Sequence, residues 1–271
     1  MNQSSGHQTE PDGIDGPRDG ETGDHLVDVD DESTWPATVV AAVQAEVERL
    51  PELSAYTSDL RIDPDDGWFR SLFEGRLLLA YHVTRLLDPE VASIRSQGLR
   101  MLTRELVGDR LATAVLAGVL SPSEAEALYD GDVFASRMNH EHRQDRVCVF
   151  TSRTTLDNSV SGLWRPMATW GGEAIYFTRT GDDMVSRLRS LGRPAIIVVG
   201  LDIVGEWDSH YASPGILSSF AGKALGLSDY GTEIHYKDDI PAAQVLDIWQ
   251  PGDSDYDRHE ELAEAVTEAS L

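Results

Sequence analysis

The sequence predicts an α+β fold, and three observations carry that prediction. Apolar residues recur at helical spacing through the first half of the chain, short apolar runs bounded by turn residues fill the second, and no regular strand–helix alternation joins them. Hydrophobic residues make up 41% of the chain, enough for its central part to build a core.

The elements follow in order. Residues 1–33 are rich in Gly, Asp and Pro and poor in large apolar side chains, so they are expected to form a disordered acidic leader. A helix is expected next, capped by Thr34 or Ser33, with Pro36 in its first turn and Val39, Val40, Val43, Val47 and Leu50 along one face. A loop is expected around Asp63–Gly67. The run RLLLAYHV (76–83) is short, apolar and bounded, the mark of a buried strand. Pro89 to Ser96 reads as a helix closed by Gly98. Two further helices, 101–118 and 123–130, meet at Ser121-Pro122, where Ser121 and Glu124 have capping-box spacing. Strands are expected at RVCVFTS (146–152), EAIYFTR (173–179), PAIIVVGLDI (194–203), TEIHYKD (232–238) and AQVLDIW (243–249), with a helix over 182–191. Residues 251–271 read as an acidic tail whose EELAEAVTEASL forms at most a frayed helix, which leaves 34–250 as a single domain.

The charge narrows the functions. Acidic residues outnumber basic ones 47 to 22, for a net charge of −25. Residues 1–34 contribute −9 and residues 251–271 contribute −6, so the span between them carries only −10. This balance disfavours a broad basic face for phosphate backbones and attachment to an anionic membrane. No stretch approaches 18 uninterrupted apolar residues, and the N-terminus has neither a basic nor an apolar signal region, so the cytoplasm is the expected location. The single cysteine, Cys148, excludes an internal disulfide and a CxxC zinc site.

Several signatures fail on spacing. Gly222-Lys223-Ala224 lacks the leading glycine and the hydroxyl residue of a phosphate loop. There is no GxGxxG after a strand and no GxSxG elbow. His140-Glu141-His142 lies in a charged stretch without HExxH spacing and reads as solvated; Cys148 in VCVF reads as a buried small residue. What remains is a set of polar residues inside apolar runs: His82, Thr84 and Arg85, then Tyr176, then Glu233, a charge that needs a partner at the start of a buried strand. Singly, each has a plain structural explanation.

Their order adds something. The segment LLLAYHVTRLLDPEVASIRSQGLRM, with His82, Thr84, Ile94, Gly98, Leu99 and Arg100, resembles the first strand and following helix of the poly(ADP-ribose) polymerase-like branch of the ADP-ribosyltransferase superfamily. Gly171-Gly172-Glu173-Ala174-Ile175-Tyr176-Phe177 resembles a later strand of that branch, and Thr232-Glu233-Ile234-His235-Tyr236 with Gln244-Val245 resembles its closing element. The resemblance runs from Arg76 to Trp249. It departs from the family in a helical insertion over 101–145 and in Val83, where a small residue is usual. VCVFTS also competes for the second strand, which would put Phe150 rather than Tyr176 at the stacking aromatic.

The resemblance implies a split mixed β-sheet and an NAD-consuming ADP-ribosyltransferase with a His-Tyr-Glu triad at His82, Tyr176 and Glu233. It implies that His82 bonds the adenosine ribose, the Val83 backbone holds the nicotinamide amide, Thr84 lies beside them, and Tyr176 or Phe150 stacks on the ring. Arg85 or Arg100 would meet the diphosphate. No metal is implied. The acceptor would be a protein or nucleic acid, in a toxin or defence setting, with no membrane partner. NAD hydrolysis, or an inactive nucleotide- or partner-binding module, are the alternatives.

Overall fold

The computed structural model describes residues 25–49, 66–131, 143–157, 162–176, 182–203, 207–209 and 215–270. Its first element corrects the leader boundary. Strand β1 (Leu26–Val27) runs parallel to the start of the next strand, with Leu26 opposite Leu77 and Val27 opposite Leu78. Val27 and Val29 are fully buried. Averaged composition concealed this short alternation: in VDVD the valines enter the core, while the intervening aspartates are held by specific partners. Asp30 accepts from Ser152 Oγ at 2.6 Å, Tyr230 Oη at 2.8 Å and the Arg153 backbone N–H at 2.8 Å, and Asp28 accepts from Arg153 Nη2 at 2.9 Å.

Helix α1 (Ala37–Arg49) starts just past Pro36 and buries Val39, Ala42 and Val43. The expected cap is corrected, because Thr34 Oγ1 accepts from the Asp28 N–H and donates to the Asp31 carbonyl. Leu50 and Asp63 lie outside the described residues. A short α2 (Asp66–Ser71) leads to β2 (Leu77–Leu86), α3 (Asp88–Gln97), α4 (Arg104–Leu116) and α5 (Pro122–Asp130). The capping box at Ser121 and Glu124 forms as its spacing predicts. Gly98 closes α3 at φ +91°; a Cβ there would lie 2.1 Å from the Ile240 carbonyl oxygen, so only glycine fits.

The second half supplies β3 (Val147–Phe150), α6 (Arg153–Asp157), α7 (Trp164–Ala168), α8 (Glu173–Tyr176), α9 (Asp182–Arg189), β4 (Arg193–Leu201), β5 (Trp207–Ser209), α10 (Ile216–Ala224), β6 (Glu233–Tyr236), β7 (Val245–Trp249), α11 (Ser254–Asp257) and α12 (Glu260–Ser270). EAIY is therefore helical, against the expected strand. Gly171 and Gly172 both take positive φ and turn the chain, and Ala174 and Ile175 pack with Trp170 and Leu188 instead of joining the sheet. Residues 177–179 lie outside the described residues.

The sheet order is β5-β6-β3-β2-β4-β7 with antiparallel neighbours, and β1 adds the parallel pair that makes it mixed. The period-2 pattern divides the two faces. Leu78, Ala80, Ile197, Val199 and Ile234 turn to a core shared with α1 and α10; Tyr81, Val83, Ile196, Val198 and Phe150 turn to one shared with α7 and α12. The acidic tail is thus corrected as well, because Tyr256, Leu262 and Val266 are buried in that second core. A third cluster lies beneath α4, α5 and α9. No helix among the described residues is long and apolar enough to cross a membrane.

Candidate functional site

The central strand β2 pairs with β4 over nine positions, from Leu78 to Leu86, but with β3 through one pair, Tyr81 and Phe150. Beyond that pair β2 and β3 part, and a cavity of about 530 Å³ opens between β2, α3, α4, β3 and the start of β6. A volume of this size suits a small organic ligand. His82, Val83 and Thr84 line it from β2, Cys148 and Phe150 from β3, and Glu233 from β6. Three residues far apart in sequence converge because β2, β3 and β6 are neighbours, with Phe150 in register with both Tyr81 and Glu233.

His82 spans the opening, its Nδ1 2.8 Å from the Cys148 carbonyl oxygen. A carbonyl only accepts, so Nδ1 carries the proton and Nε2 is left as an acceptor. Burial pushes the imidazole pKa down to about 4; the Cys148 carbonyl opposes this and the nearby Arg110 charge adds to it. His82 is neutral at pH 7.

Glu233 is half-buried, and its Oε1 lies 3.3 Å from His235 Nε2. His235 is buried, and its Nδ1 lies 3.3 Å from Arg146 Nη1. The ligand atoms of Cys148, Glu233 and His235 lie within 4.8 Å of one another, a donor set that suits a borderline metal. Arg146 argues against one: an imidazole bound through Nε2 carries its proton on Nδ1 and needs an acceptor there, whereas a guanidinium only donates.

The cavity's charge runs against that of the whole chain. Arg100, Arg110, Arg143, Arg146 and Arg165 line it, opposed by Glu90, Asp109 and Glu233. Arg110 is the best fixed, donating from Nε to Glu90 Oε1 at 2.5 Å and from Nη2 to the Arg85 carbonyl at 3.2 Å, with Trp170 stacked beside it. Glu90 in turn accepts from Trp170 Nε1 and from the Leu87 N–H, each at 2.7 Å.

Two expected site residues stand elsewhere. Arg85 is buried and donates to the Leu191 carbonyl at 2.6 Å and the Met167 carbonyl at 3.2 Å, so it ties the turn before β4 to α7 and does not line the cavity. Tyr176 ends α8 and is not on a strand beside His82; Phe150 holds the strand position. Arg100 does line the cavity, bound to Asp109 at 2.7 Å. Arg110, Arg146, His235 and Glu90 were not singled out from the sequence. Only His235 left a signal there, as it stands two positions from Glu233 on one strand and so shares its face. His140 to His142 lie outside the described residues.

Comparison with protein-family models, curated proteins and solved structures finds no match.

Proposed function

We propose that the cavity binds NAD and that the protein is an ADP-ribosyltransferase, releasing nicotinamide and passing ADP-ribose to a macromolecular acceptor. One observation carries this reading: His82, Phe150 and Glu233, from three strands in the order the sequence resemblance implies, line one cavity. The arginine-rich lining of an otherwise acidic chain supports an anionic ligand.

In this reading His82 Nε2 accepts from an adenosine ribose hydroxyl, and the Val83 backbone meets the nicotinamide amide. Phe150 takes the stacking role in place of Tyr176. Arg110, with Arg100 nearby, takes the diphosphate role in place of Arg85. The C1′–N bond breaks with its electron pair leaving on nicotinamide, and positive charge develops at C1′, as in glycoside hydrolysis. Glu233 accepts from the ribose 2′-hydroxyl and stabilises that charge. An acceptor oxygen or nitrogen then bonds C1′ and gives up its proton to water.

The test is to incubate the full chain with NAD and follow nicotinamide and ADP-ribose by chromatography, with water alone, protein or RNA as acceptor. Nicotinamide release with labelled acceptor supports transfer, and free ADP-ribose alone supports hydrolysis. NAD binding without release supports the inactive module. No binding refutes the reading.

A further inference from the structure

We infer that His235 positions Glu233, through a hydrogen-bonded line running Arg146–His235–Glu233. The inference rests on the reading of Glu233 as the group that meets the substrate ribose. The guanidinium of Arg146 can only donate, so His235 Nδ1 accepts, the ring proton sits on Nε2, and that proton is given to Glu233 Oε1. The ring itself is held by β-sheet register, with Cys148 of β3 on one side and Asp208 of β5 on the other as backbone partners.

This arrangement answers a problem particular to Glu233. A glutamate has three rotatable bonds, and Glu233 lines a cavity instead of being packed in the core. A buried donor two positions along the same strand anchors one oxygen and so narrows the directions the carboxylate can take. Preorganisation of this kind matters at a reacting centre, where a misplacement of about 1 Å costs on the order of a hundredfold in rate. Arg146 sets the tautomer: with its donor at Nδ1, His235 cannot turn a lone pair toward Glu233 and repel it. Charged or titratable groups beside His235 include Arg146, just before β3, Cys148 on β3 and Glu233 on its own strand.

The experiment compares full-length protein with His235→Phe, His235→Gln and Arg146→Met. Nicotinamide release gives kcat and KM, calorimetry gives NAD affinity, and carbon-13 NMR of glutamate-labelled protein gives the Glu233 carboxyl titration, assigned with Glu233→Gln. In His235→Phe the expectation is a kcat lower by tenfold or more, NAD affinity within about twofold, and a Glu233 carboxyl that titrates at higher pH for want of its donor. His235→Gln, which keeps an N–H, restores part of kcat, and Arg146→Met lowers kcat in the same direction as Phe. Unchanged carboxyl titration and unchanged kcat in His235→Phe overturn the inference. Equal loss of kcat and NAD affinity in all three variants also overturns it, because that marks a merely structural role. If His235→Phe does not fold, the Gln and Arg146 variants carry the same comparison. If the parent releases no nicotinamide, the transferase reading fails, and the carboxyl titration still decides whether His235 controls Glu233.

Discussion

Replacing Asp30 by alanine is expected to loosen the attachment of the N-terminal segment to the sheet. Its carboxylate accepts four hydrogen bonds, from Ser152 Oγ, Tyr230 Oη and the Arg153 N–H and Nε. Its side chain is 9% exposed, so water replaces those partners poorly. Each bond from an uncharged donor contributes about 1 kcal/mol net and the guanidinium bond about 1.5–3, which gives roughly 4–6 kcal/mol for the set. Arg153 keeps its bond to Asp28 and Ser152 keeps Thr154, so the lower end of that range is the better expectation. Urea unfolding at 25 °C and pH 7.5 measures it; with a slope near 3 kcal/mol/M the midpoint falls by about 1 M. The adjacent Asp31→Ala is the control, since that exposed carboxylate accepts from Ser33. Equal small shifts for the two variants refute the claim that residues 25–34 belong to the folded domain.

Three further outcomes follow from the same contacts. His82 is neutral in the folded protein down to about pH 4 and near pH 6.5 in the unfolded chain, so its contribution is complete above pH 6.5 and declines as pH falls. The loss reaches about 2 kcal/mol at pH 5, and urea unfolding of His82→Asn at pH 7.5 and pH 5 shows a correspondingly smaller decline. Leu262→Ala, in the core shared with Tyr81 and Trp249, is expected to cost about 2–4 kcal/mol by the same method; no effect shows that α12 does not pack there. Phe150→Leu is expected to weaken NAD binding about tenfold in calorimetry, through lost stacking, while Tyr176→Leu leaves it within about twofold. The reverse result restores Tyr176 to the site.

Much of the sheet was legible because its strands are apolar runs of the right length. Strands form within the expected runs at VCVF, PAIIVVGL, EIHY and VLDIW, and the one expected in RLLLAYHV runs from Leu77 on to Leu86. EAIY failed by the same criterion. A short apolar run does not distinguish strand from buried helix, and here two glycines with positive φ decided the matter. Helix α10 was missed because Ile216 to Gly222 are buried on all sides, which erases the amphipathic period. The strap at 26–30 and the docked α12 were missed because acidic composition outweighed a few well-placed apolar residues, Val27, Val29, Leu262 and Val266.

The site was legible to the extent that it lies on strands. His82 and Glu233 could be named as polar residues inside apolar runs, and Phe150 entered through the resemblance as the alternative to Tyr176. Arg110 could not, because nothing in RELVGDRLATAVL distinguishes an arginine held by Glu90 and Trp170 from one in solvent. Arg85 misled for the opposite reason: its place beside His82 in sequence suggested the site, but at the end of β2 its guanidinium reaches the Leu191 and Met167 carbonyls.

The most direct measurement is nicotinamide release by the full chain and by Glu233→Gln, set beside calorimetry of NAD binding to both. Gln keeps the shape and one acceptor but removes the charge that meets the developing cation. In the proposed reading NAD is held by His82, Phe150 and Arg110, so the dissociation constant should move by less than about threefold, while the release rate falls by two to three orders of magnitude, roughly 3–4 kcal/mol. Equal release by the two proteins contradicts the account and removes Glu233 from the chemistry.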